Sequence, residues 1–365
     1  MTLSSVMGIS HGNPPPHGID EALLPDLGST PPPKNRRVFL LGATGTIGRA
    51  TARALAASGR DVVCLVRPSA DAAALTDAAP GIVVRAGEAT DPVSLRRDGF
   101  AGERFDALVS CLASRTGAPK DAWAVDYAAN LDALTAAQNA GVSTVVHLSA
   151  ICVQRPRLAF QHAKRAYEDA LAASGVDYAI VRPTAFFKSL SGQIDRVRAG
   201  KPFMVFGDGA QTACKPISDA DLAQFIVERL DDAPGTRAAF PIGGPGPAMT
   251  PREQGAMLFD ILGREPQFQS VPTALFDVAA GVLGALGRLV PPLAEKAEFA
   301  RIAKYYACES MLVYDADAGR YDADATPSFG TETLADHYAK LVSGAQTHER
   351  GAHTMFDARA NAENG

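Results

Sequence analysis

The chain has 365 residues, of which 47% are hydrophobic and 21% are charged, and its formal net charge at pH 7 is −5. This length suits one large α/β domain with an elaborated end, or two small domains. An acidic balance without a basic run gives no reason to expect a nucleic-acid partner. The five cysteines are scattered without a Cys-x-x-Cys pair, so they indicate a reducing cytoplasm and no metal site.

The two ends of the chain differ in composition from its middle. Residues 1–35 carry two proline triplets and little apolar periodicity, so they are predicted to form a disordered tail. This tail is too short and too acidic for a plastid transit peptide, which favours a bacterial, cytoplasmic protein. Residues 343–365 are polar and are predicted to be a loose tail as well.

Apolar runs alternate with helical stretches from Val38 onward. Strands are predicted at 38–42, 61–66, 81–85, 106–111, 144–149 and 178–182. This alternation is typical of a parallel sheet covered on both faces. The predicted fold class is therefore α/β, a Rossmann-type doubly wound parallel sheet with a smaller C-terminal substrate lobe. The sheet domain is predicted over 36–230, with a substrate-facing insert at about 184–215, and the lobe over 231–342.

A glycine motif follows the first predicted strand and precedes an Ala-rich helix. A strand, a glycine turn and a helix N-terminus form a cradle for a dinucleotide pyrophosphate, because helix N–H groups and the helix dipole favour negative charge. The predicted pyrophosphate-binding residues are Gly42, Thr44, Gly45, Thr46, Ile47 and Gly48. The alternative is a tight turn without a ligand. The spacing Gly-x-x-Gly-x-x-Gly resembles that of the short-chain dehydrogenase/reductase superfamily.

The end of the second predicted strand indicates which dinucleotide binds. NAD-preferring proteins place an acidic residue there, on the ribose 2′-hydroxyl. This chain has Arg67 instead, with Arg49 nearby at the start of the first helix. Two guanidiniums would hold a 2′-phosphate, so we expect NADPH; the alternative is two ordinary solvated arginines. The backbone of Cys111, at the end of the fourth strand, is expected to pass beside the cofactor.

The catalytic pattern of the superfamily is incomplete. Ser149 ends the fifth predicted strand, and Phe160 and Lys164 open the next helix. Typical short-chain reductases have Tyr-x-x-x-Lys here, in which the Tyr protonates a carbonyl and the Lys grips the nicotinamide ribose. Phe160 occupies the Tyr position and cannot donate a proton. Lys164 is expected to hold the ribose, with Ser149 beside the nicotinamide ring.

The missing acid favours a particular class of reaction. Carbonyl reduction places charge on an oxygen that needs an acid nearby. Reduction of a C=C bond conjugated to a large π-system does not, because the carbanion spreads into the ring. The alternatives are an NADP(H)-binding regulator or assembly factor without catalysis, and a reductase of a smaller aromatic alkene. Tyr167, one turn beyond Lys164, is either a replacement acid or a packed tyrosine.

Three blocks of sequence resemble the divinyl chlorophyllide a 8-vinyl-reductases of photosynthetic organisms, of the NADPH-dependent type without iron–sulfur clusters. They are Leu148–Gln154 running on to Phe160 and Lys164, Arg182–Leu190, and Gly200–Gly209 with the nearby Cys214–Asp219. The resemblance covers roughly residues 36 to 345, and Phe160 fits the pattern of that family. It implies reduction of the 8-vinyl group of divinyl chlorophyllide a or protochlorophyllide to ethyl, in chlorophyll or bacteriochlorophyll biosynthesis. The Mg²⁺ would belong to this tetrapyrrole substrate and not to the protein.

The remaining substrate-side predictions have simple structural alternatives. Phe186 and Phe187 are expected to line a flat pocket, or else to be core residues, and Lys188 to pair with a propionate, or else to be solvated. His162 is a candidate axial ligand of the substrate magnesium, or else a structural histidine. The apolar segment Ala274–Leu293 is poor as a membrane span. Its first interpretation is a helix lining an apolar pocket, and its second a helix resting on the surface of a photosynthetic membrane.

Overall fold

Eleven strands are found in the part of the chain that the structure describes. The computed structural model describes residues 36–78, 81–287 and 290–345, so the predicted tail over 1–35 and most of that over 343–365 lie outside it. The strands are β1 Arg37–Leu41, β2 Asp61–Val66, β3 Val83–Ala86, β4 Ala107–Ser110, β5 Thr144–Leu148, β6 Asp177–Pro183, β7 Phe203–Phe206, β8 Arg237–Ile242, β9 Phe268–Val271, β10 Val313–Asp315 and β11 Arg320–Asp322.

Helices alternate with these strands. The α-helices are α1 Thr46–Ala57, α2 Ala73–Ala78, α3 Pro92–Ser94, α4 Pro119–Ala122, α5 Asn130–Asn139, α6 Ala159–Ala173, α7 Phe187–Leu190, α8 Ile194–Arg198, α9 Asp219–Glu228, α10 Pro251–Ile261, α11 Ala274–Gly287, α12 Pro291–Cys308 and α13 Leu334–Ser343. Two π-helical turns, Leu95–Phe100 and Trp123–Ala129, and a 3₁₀ turn, Ile151–Gln154, lie between them.

Seven strands form one parallel sheet in the order β3-β2-β1-β4-β5-β6-β8. Successive side chains of a strand point to opposite faces, so the sheet has a core on each side. In β1, Val38 and Leu40 pack into one core and Phe39 and Leu41 into the other. The predicted Rossmann-type parallel sheet is confirmed, and its strand order is that of dinucleotide-binding folds.

The seventh strand of the sheet corrects the predicted boundary at residue 230. β8 pairs in parallel with β6, from Tyr178 opposite Arg237 to Pro183 opposite Ile242. It therefore belongs to the sheet domain and not to the predicted lobe over 231–342. The βα rhythm of the sequence is lost because a long segment separates β6 from α9, the helix that packs on α1.

A smaller lobe follows the carboxyl ends of the strands. Its parallel pair β7–β9 packs with α10 and α13 around a separate core that contains Phe203, Leu258 and Tyr338. The helix α11 contacts α12, yet none of residues 274–287, all of which the structure describes, is buried. Among the described residues, no helix is long and apolar enough to cross a membrane.

Candidate active site

The glycine loop joins β1 to α1, and its three glycines serve different purposes. Gly42 has φ +76°, and a Cβ built on it would lie 2.5 Å from the carbonyl carbon of Cys111. A Cβ on Gly48 would lie 2.0 Å from the Gly42 oxygen. A Cβ on Gly45 would meet only that oxygen, at 3.4 Å, and Gly45 is exposed. The fold of the chain itself therefore requires Gly42 and Gly48, whereas Gly45 leaves open space over the N-terminus of α1.

The open space over Gly45 fits a phosphate group. The first N–H groups of a helix have no partner within the helix, and the helix dipole places positive potential there. Gly45 is the N-cap residue of α1, and Thr46 and Ile47 begin the helix. The cradle predicted from the sequence thus has the geometry that a dinucleotide pyrophosphate needs.

Two cationic side chains contact this loop. The Arg49 guanidinium donates a hydrogen bond to the Thr44 carbonyl oxygen at 2.9 Å, and the Lys188 ammonium donates one to the Thr46 hydroxyl at 2.8 Å. Lys188 follows β6 and was expected at a substrate propionate; the structure places it at the glycine loop instead. The reason is that the chain after β6 passes over the N-terminus of α1, which a sequence pattern does not reveal.

Arg67 and Cys111 lie at the same edge of the sheet as the glycine loop. Leu41 of β1 pairs with Leu65 of β2, so Arg67, which follows β2 and is exposed, emerges beside the loop. Cys111 follows β4, and burial raises the pKa of its thiol to about 12. Its backbone packs against Gly42, so this residue supports the loop.

A cavity of about 450 Å³ opens at the carboxyl ends of β4, β5 and β6. This is the edge at which open α/β sheets bind ligands, and the volume lies within the usual range for small-molecule sites. One end of the cavity contains Ser114, Ser149 and Lys164. The rest is mostly apolar and includes residues of the smaller lobe: Phe203, Val205, Phe206, Met249, Phe299 and Ile302.

Lys164 is held at the polar end of the cavity by a buried carboxylate. Its Nζ lies 3.0 Å from Oδ1 of Asp126, which is fully buried in the π-helical turn Trp123–Ala129. Asp126 also accepts hydrogen bonds from the Ser114 hydroxyl at 2.6 Å and the Ser114 N–H at 3.2 Å. A buried ion pair needs such additional hydrogen bonds to offset the free energy of desolvating its charges. Removing one partner strongly destabilises the protein, because it leaves an unpaired buried charge. Asp126 therefore fixes the position of the Lys164 ammonium.

Ser149 and Phe160 complete this end of the cavity. The Ser149 hydroxyl is buried and has no hydrogen-bond partner among the residues that the structure describes. A buried hydroxyl without a partner is costly, so it fits a site that a ligand completes. Phe160 and Lys164 are four residues apart on α6, and both line the cavity. The phenyl ring thus faces the substrate space without a group that can donate a proton.

His162 and Tyr167 do not reach the cavity. His162 is exposed, because two positions along a helix from Phe160 lead to the other side of α6. The prediction that it binds the substrate magnesium is therefore wrong. Tyr167 is fully buried, and its ring packs at 4.6 Å from that of His147 in the core. Burial raises the pKa of Tyr167, which serves as a packed core residue and not as a replacement acid.

His147, on β5, is fully buried in the core. Neither ring nitrogen has a hydrogen-bond partner among the described residues. Burial, and secondarily the charge of Lys164, holds its pKa well below the ordinary value of 6.5. The ring is therefore neutral in the folded protein.

The aromatic lining also differs in part from the prediction. Phe186, Phe203 and Phe206 line the cavity. Phe187 is 2% exposed and packs in the core of the smaller lobe, 5.2 Å from the His337 ring, so its predicted pocket role is wrong. Adjacent residues at the start of a helix point in different directions, so Phe186 and Phe187 could not share one role.

The helix that lines the cavity is α12, not the predicted segment Ala274–Leu293. Its lining residues recur with helical spacing: Phe299, Ile302, Ala303, Tyr306 and Ala307. A row of apolar residues of α11 faces outward, with Leu275 58% and Val278 62% exposed. The pattern i, i+3, i+4, i+7 in α12 was the available signal, and the stronger hydrophobicity of α11 obscured it.

Cysteines and acidic residues form no metal centre in the described structure. Within residues 36–78, 81–287 and 290–345, no three His, Cys, Asp or Glu side chains are grouped so as to hold a metal ion. Cys152 lies beside Ser149 in the cavity wall, and burial raises the pKa of its thiol to about 11. It is therefore a thiol and not a thiolate at neutral pH.

Comparison with known proteins identifies the cofactor class and the family. A family described as NAD(P)H-binding matches residues 42–233, which begin at the glycine loop, so the chain binds NAD(P)H. A relative from Oryza sativa subsp. indica, "Divinyl chlorophyllide a 8-vinyl-reductase, chloroplastic", is 45% identical over 89% of this chain and 83% of its own length. The chain belongs to the divinyl chlorophyllide a 8-vinyl-reductase family.

A second reductase relative agrees with this membership and confirms the resemblance predicted from the sequence, and two other matches are more distant. The divinyl chlorophyllide a 8-vinyl-reductase of Zea mays is 44% identical over 89% of this chain and 84% of its own length. The photosystem II assembly factor Ycf39 of Synechocystis is 29% identical over only 57% of the chain and 62% of its own length. A quinone oxidoreductase from Escherichia coli, solved with NADPH, shares the fold with a TM-score of 0.61 at 20% identity, over 84% of this chain and 99% of its own.

Proposed function

We propose that this protein uses NADPH to reduce the 8-vinyl group of a divinyl chlorophyllide to an ethyl group, in chlorophyll or bacteriochlorophyll biosynthesis. The observation that carries the proposal is that Lys164 and an apolar, aromatic space belong to one continuous cavity. The names of relatives at 44–45% identity support the same substrate. A flat, conjugated pigment fits a space lined by Phe186, Phe203 and Phe206.

In the proposed mechanism, the residues of the chain position the two reactants and exclude water. NADPH supplies a hydride when bound. Lys164, fixed by Asp126, would hold the nicotinamide ribose, and Ser149 would lie beside the ring with its hydroxyl available for a hydrogen bond. The apolar phenyl ring of Phe160 excludes water from this end of the cavity. Because the ring cannot donate a proton, the site lacks the acid that a carbonyl reductase uses to protonate the substrate oxygen. A vinyl group conjugated to a macrocycle tolerates this, because negative charge spreads into the ring.

The cofactor arrangement follows from the glycine loop. We assign the pyrophosphate to Gly42, Thr44, Gly45, Thr46, Ile47 and Gly48. The hydrogen bond between Lys188 and Thr46 supports adding Lys188, because its charge then lies where the phosphates bind. The preference for NADPH over NADH is assigned to Arg67 and Arg49, which would hold the 2′-phosphate.

The two candidate substrates belong to the same chemical class. Both divinyl chlorophyllide and divinyl protochlorophyllide present the same vinyl group on a magnesium tetrapyrrole, and the Mg²⁺ belongs to that pigment. A pigment assay with each substrate in parallel tests the choice.

Contact with a membrane surface is proposed for α11. The helix carries an exposed apolar row and lies against α12, whose other face lines the cavity. Such a helix can rest in the interface of a membrane without crossing it. The protein would then be a cytoplasmic, peripheral enzyme of photosynthetic membranes.

The rival from a different class is an NADP(H)-binding assembly factor that does not oxidise its cofactor. The match to Ycf39 covers the chain less completely than the reductase matches do. Incubating the purified protein with divinyl chlorophyllide a and NADPH, followed by pigment chromatography, separates the classes. A reductase forms the monovinyl pigment and consumes one NADPH per vinyl group, whereas an assembly factor binds NADPH unchanged.

A further inference from the structure

Reduction of a vinyl group needs a proton as well as a hydride, and the usual proton donor is absent. Phe160 stands where short-chain reductases have their tyrosine, and Tyr167 is sealed in the core. A modest acid elsewhere in the cavity wall is therefore the candidate for the proton donor. The titratable side chains of the cavity wall can each be examined for this role: Asp126, Cys152, Lys164, Cys214, Tyr306 and Glu309.

Most of these groups are unsuited to donate a proton. Lys164 balances the buried Asp126, which would lose its counter-charge if Lys164 gave up its proton. Glu309 accepts ion-pair contacts from Arg155 at 2.9 Å and Arg157 at 2.6 Å, so it is an acceptor. The Cys152 and Cys214 side chains are only 2% and 7% exposed, so little of either residue is open to the cavity.

Tyr306 is the exception. It lies on the cavity face of α12 and is 37% exposed, far more than either thiol. Cys152, Ser149 and Lys164 line the same cavity. The phenol thus shares the cavity with Ser149 and Lys164, on a helix that belongs to the smaller lobe. Burial raises the pKa of Tyr306, so the group is a protonated phenol at neutral pH.

We propose that Tyr306 is the proton donor of the vinyl reduction, an inference that rests on the proposed function. Two electrons and one hydrogen reach one vinyl carbon as the hydride that NADPH supplies. The second hydrogen leaves the Tyr306 oxygen as a proton and forms the C–H bond at the other vinyl carbon, while the O–H electron pair stays on the tyrosyl oxygen. Water, which reaches the exposed edge of Tyr306, then returns a proton to it. The active site therefore takes its acid from the smaller lobe and not from α6.

The adjacent tyrosine provides a matched control. Tyr305 is 5% exposed, and its hydroxyl lies 3.4 Å from the Cys152 carbonyl oxygen and 3.5 Å from that of Arg155, outside the cavity lining. The experiment compares the full-length wild-type protein with Tyr306→Phe and Tyr305→Phe. It measures the affinity for NADPH, the affinity for divinyl chlorophyllide a, the rate of monovinyl pigment formation, and the ratio of that rate in H₂O and D₂O.

Loss of a general acid commonly lowers a rate by about 10²- to 10⁴-fold. We expect Tyr306→Phe to lower the rate by about 10²-fold, to keep both affinities within about twofold and to increase the solvent isotope effect, because water must then supply the proton. Tyr305→Phe should react like the wild type. If the wild type is active and Tyr306→Phe is equally fast, the role of Tyr306 is overturned but the proposed function stands. The same holds if the rate of Tyr306→Phe falls only because the variant binds the pigment more weakly. A wild type that forms no monovinyl pigment overturns the proposed function itself.

Discussion

At the scale of single residues, the glycine loop shows which positions the chain needs for itself and which face a ligand. Gly42 and Gly48 are confined by the backbone around them, whereas Gly45 has an ordinary φ of −72° and is confined by nothing closer than 3.4 Å. The sequence motif does not distinguish the three glycines. The structure shows that Gly42 and Gly48 are needed for folding, whereas Gly45 faces the ligand, and substitutions test this difference.

Gly45→Ala is expected to fold like the wild type and to bind NADPH at least about tenfold more weakly. Its methyl group would occupy the space where a phosphate approaches the N-terminus of α1. Gly48→Ala should instead lower the free energy of unfolding by about 1–3 kcal/mol, since its Cβ would lie 2.0 Å from the Gly42 oxygen. Thermal unfolding and NADPH fluorescence titration measure the two effects. Wild-type affinity in Gly45→Ala would remove the phosphate from this position.

The residues that sequence reasoning missed come from distant parts of the chain. Lys164 was expected at the site from its spacing to Phe160, but its partner Asp126 lies in a π-helical turn without a recognised motif. A carboxylate in the apolar stretch around Trp123 was the only available signal. Conversely, His162 was proposed from its closeness in sequence to Phe160, and helix geometry placed it on the far side.

At the scale of secondary-structure elements, the sequence predicted the first six strands to within two residues at each end. Continuous apolar runs and the glycine turn determine these strands locally. The seventh strand, β8, was not predicted, because its place depends on where a long insertion returns the chain to the sheet, and propensity and periodicity do not contain that information. The lining helix α12 did carry a periodic apolar pattern, but the more hydrophobic segment α11 was chosen instead.

The strand β5 carries a buried neutral histidine, so it makes stability depend on pH. The unfolded state takes up a proton near pH 6.5, but folded His147, with its lowered pKa, does not. Stability is therefore fully present above pH 6.5 and falls below it, by about 1.4 kcal/mol per pH unit for one proton. Between pH 6.5 and 5, the free energy of unfolding of His147→Leu should fall by about 1.4 kcal/mol less per pH unit than that of the wild type, as measured by urea unfolding. Exposed His162→Gln is the control, and an unaltered slope in His147→Leu would contradict the assignment.

The helix α11 is expected to bind neutral phosphatidylcholine vesicles. Its exposed residues Leu275, Val278 and Val282 recur at helical spacing, and residues 274–287 contain no Lys or Arg. Binding should therefore persist at high salt, because it depends on apolar burial and not on charge. In a sedimentation assay, Val278→Ser with Val282→Ser should lower the bound fraction several-fold. The control is Val93→Ser, a substitution at another exposed valine, and equal binding of all three proteins would exclude α11 as the contact.

At the scale of the whole molecule, the active site lies between two structural layers. The parallel sheet supplies the glycine loop, Ser149 and Lys164, and the smaller lobe supplies the apolar wall with Tyr306. The described residues, 36–78, 81–287 and 290–345, belong to one compact unit, so the sheet and the smaller lobe form one body. The chemistry of the nicotinamide end was predictable from motifs, whereas the apolar end was predictable only in its general character.

The most direct test of the account is the conversion of a divinyl pigment by the purified wild-type protein. Divinyl chlorophyllide a is incubated with NADPH and, in parallel, with NADH, and the pigments are separated by chromatography. We expect the 8-ethyl, monovinyl pigment to form with NADPH in equal amount to the NADPH consumed, and much more slowly with NADH. Binding of NADPH without any loss of the 8-vinyl group would contradict the account and favour an assembly factor.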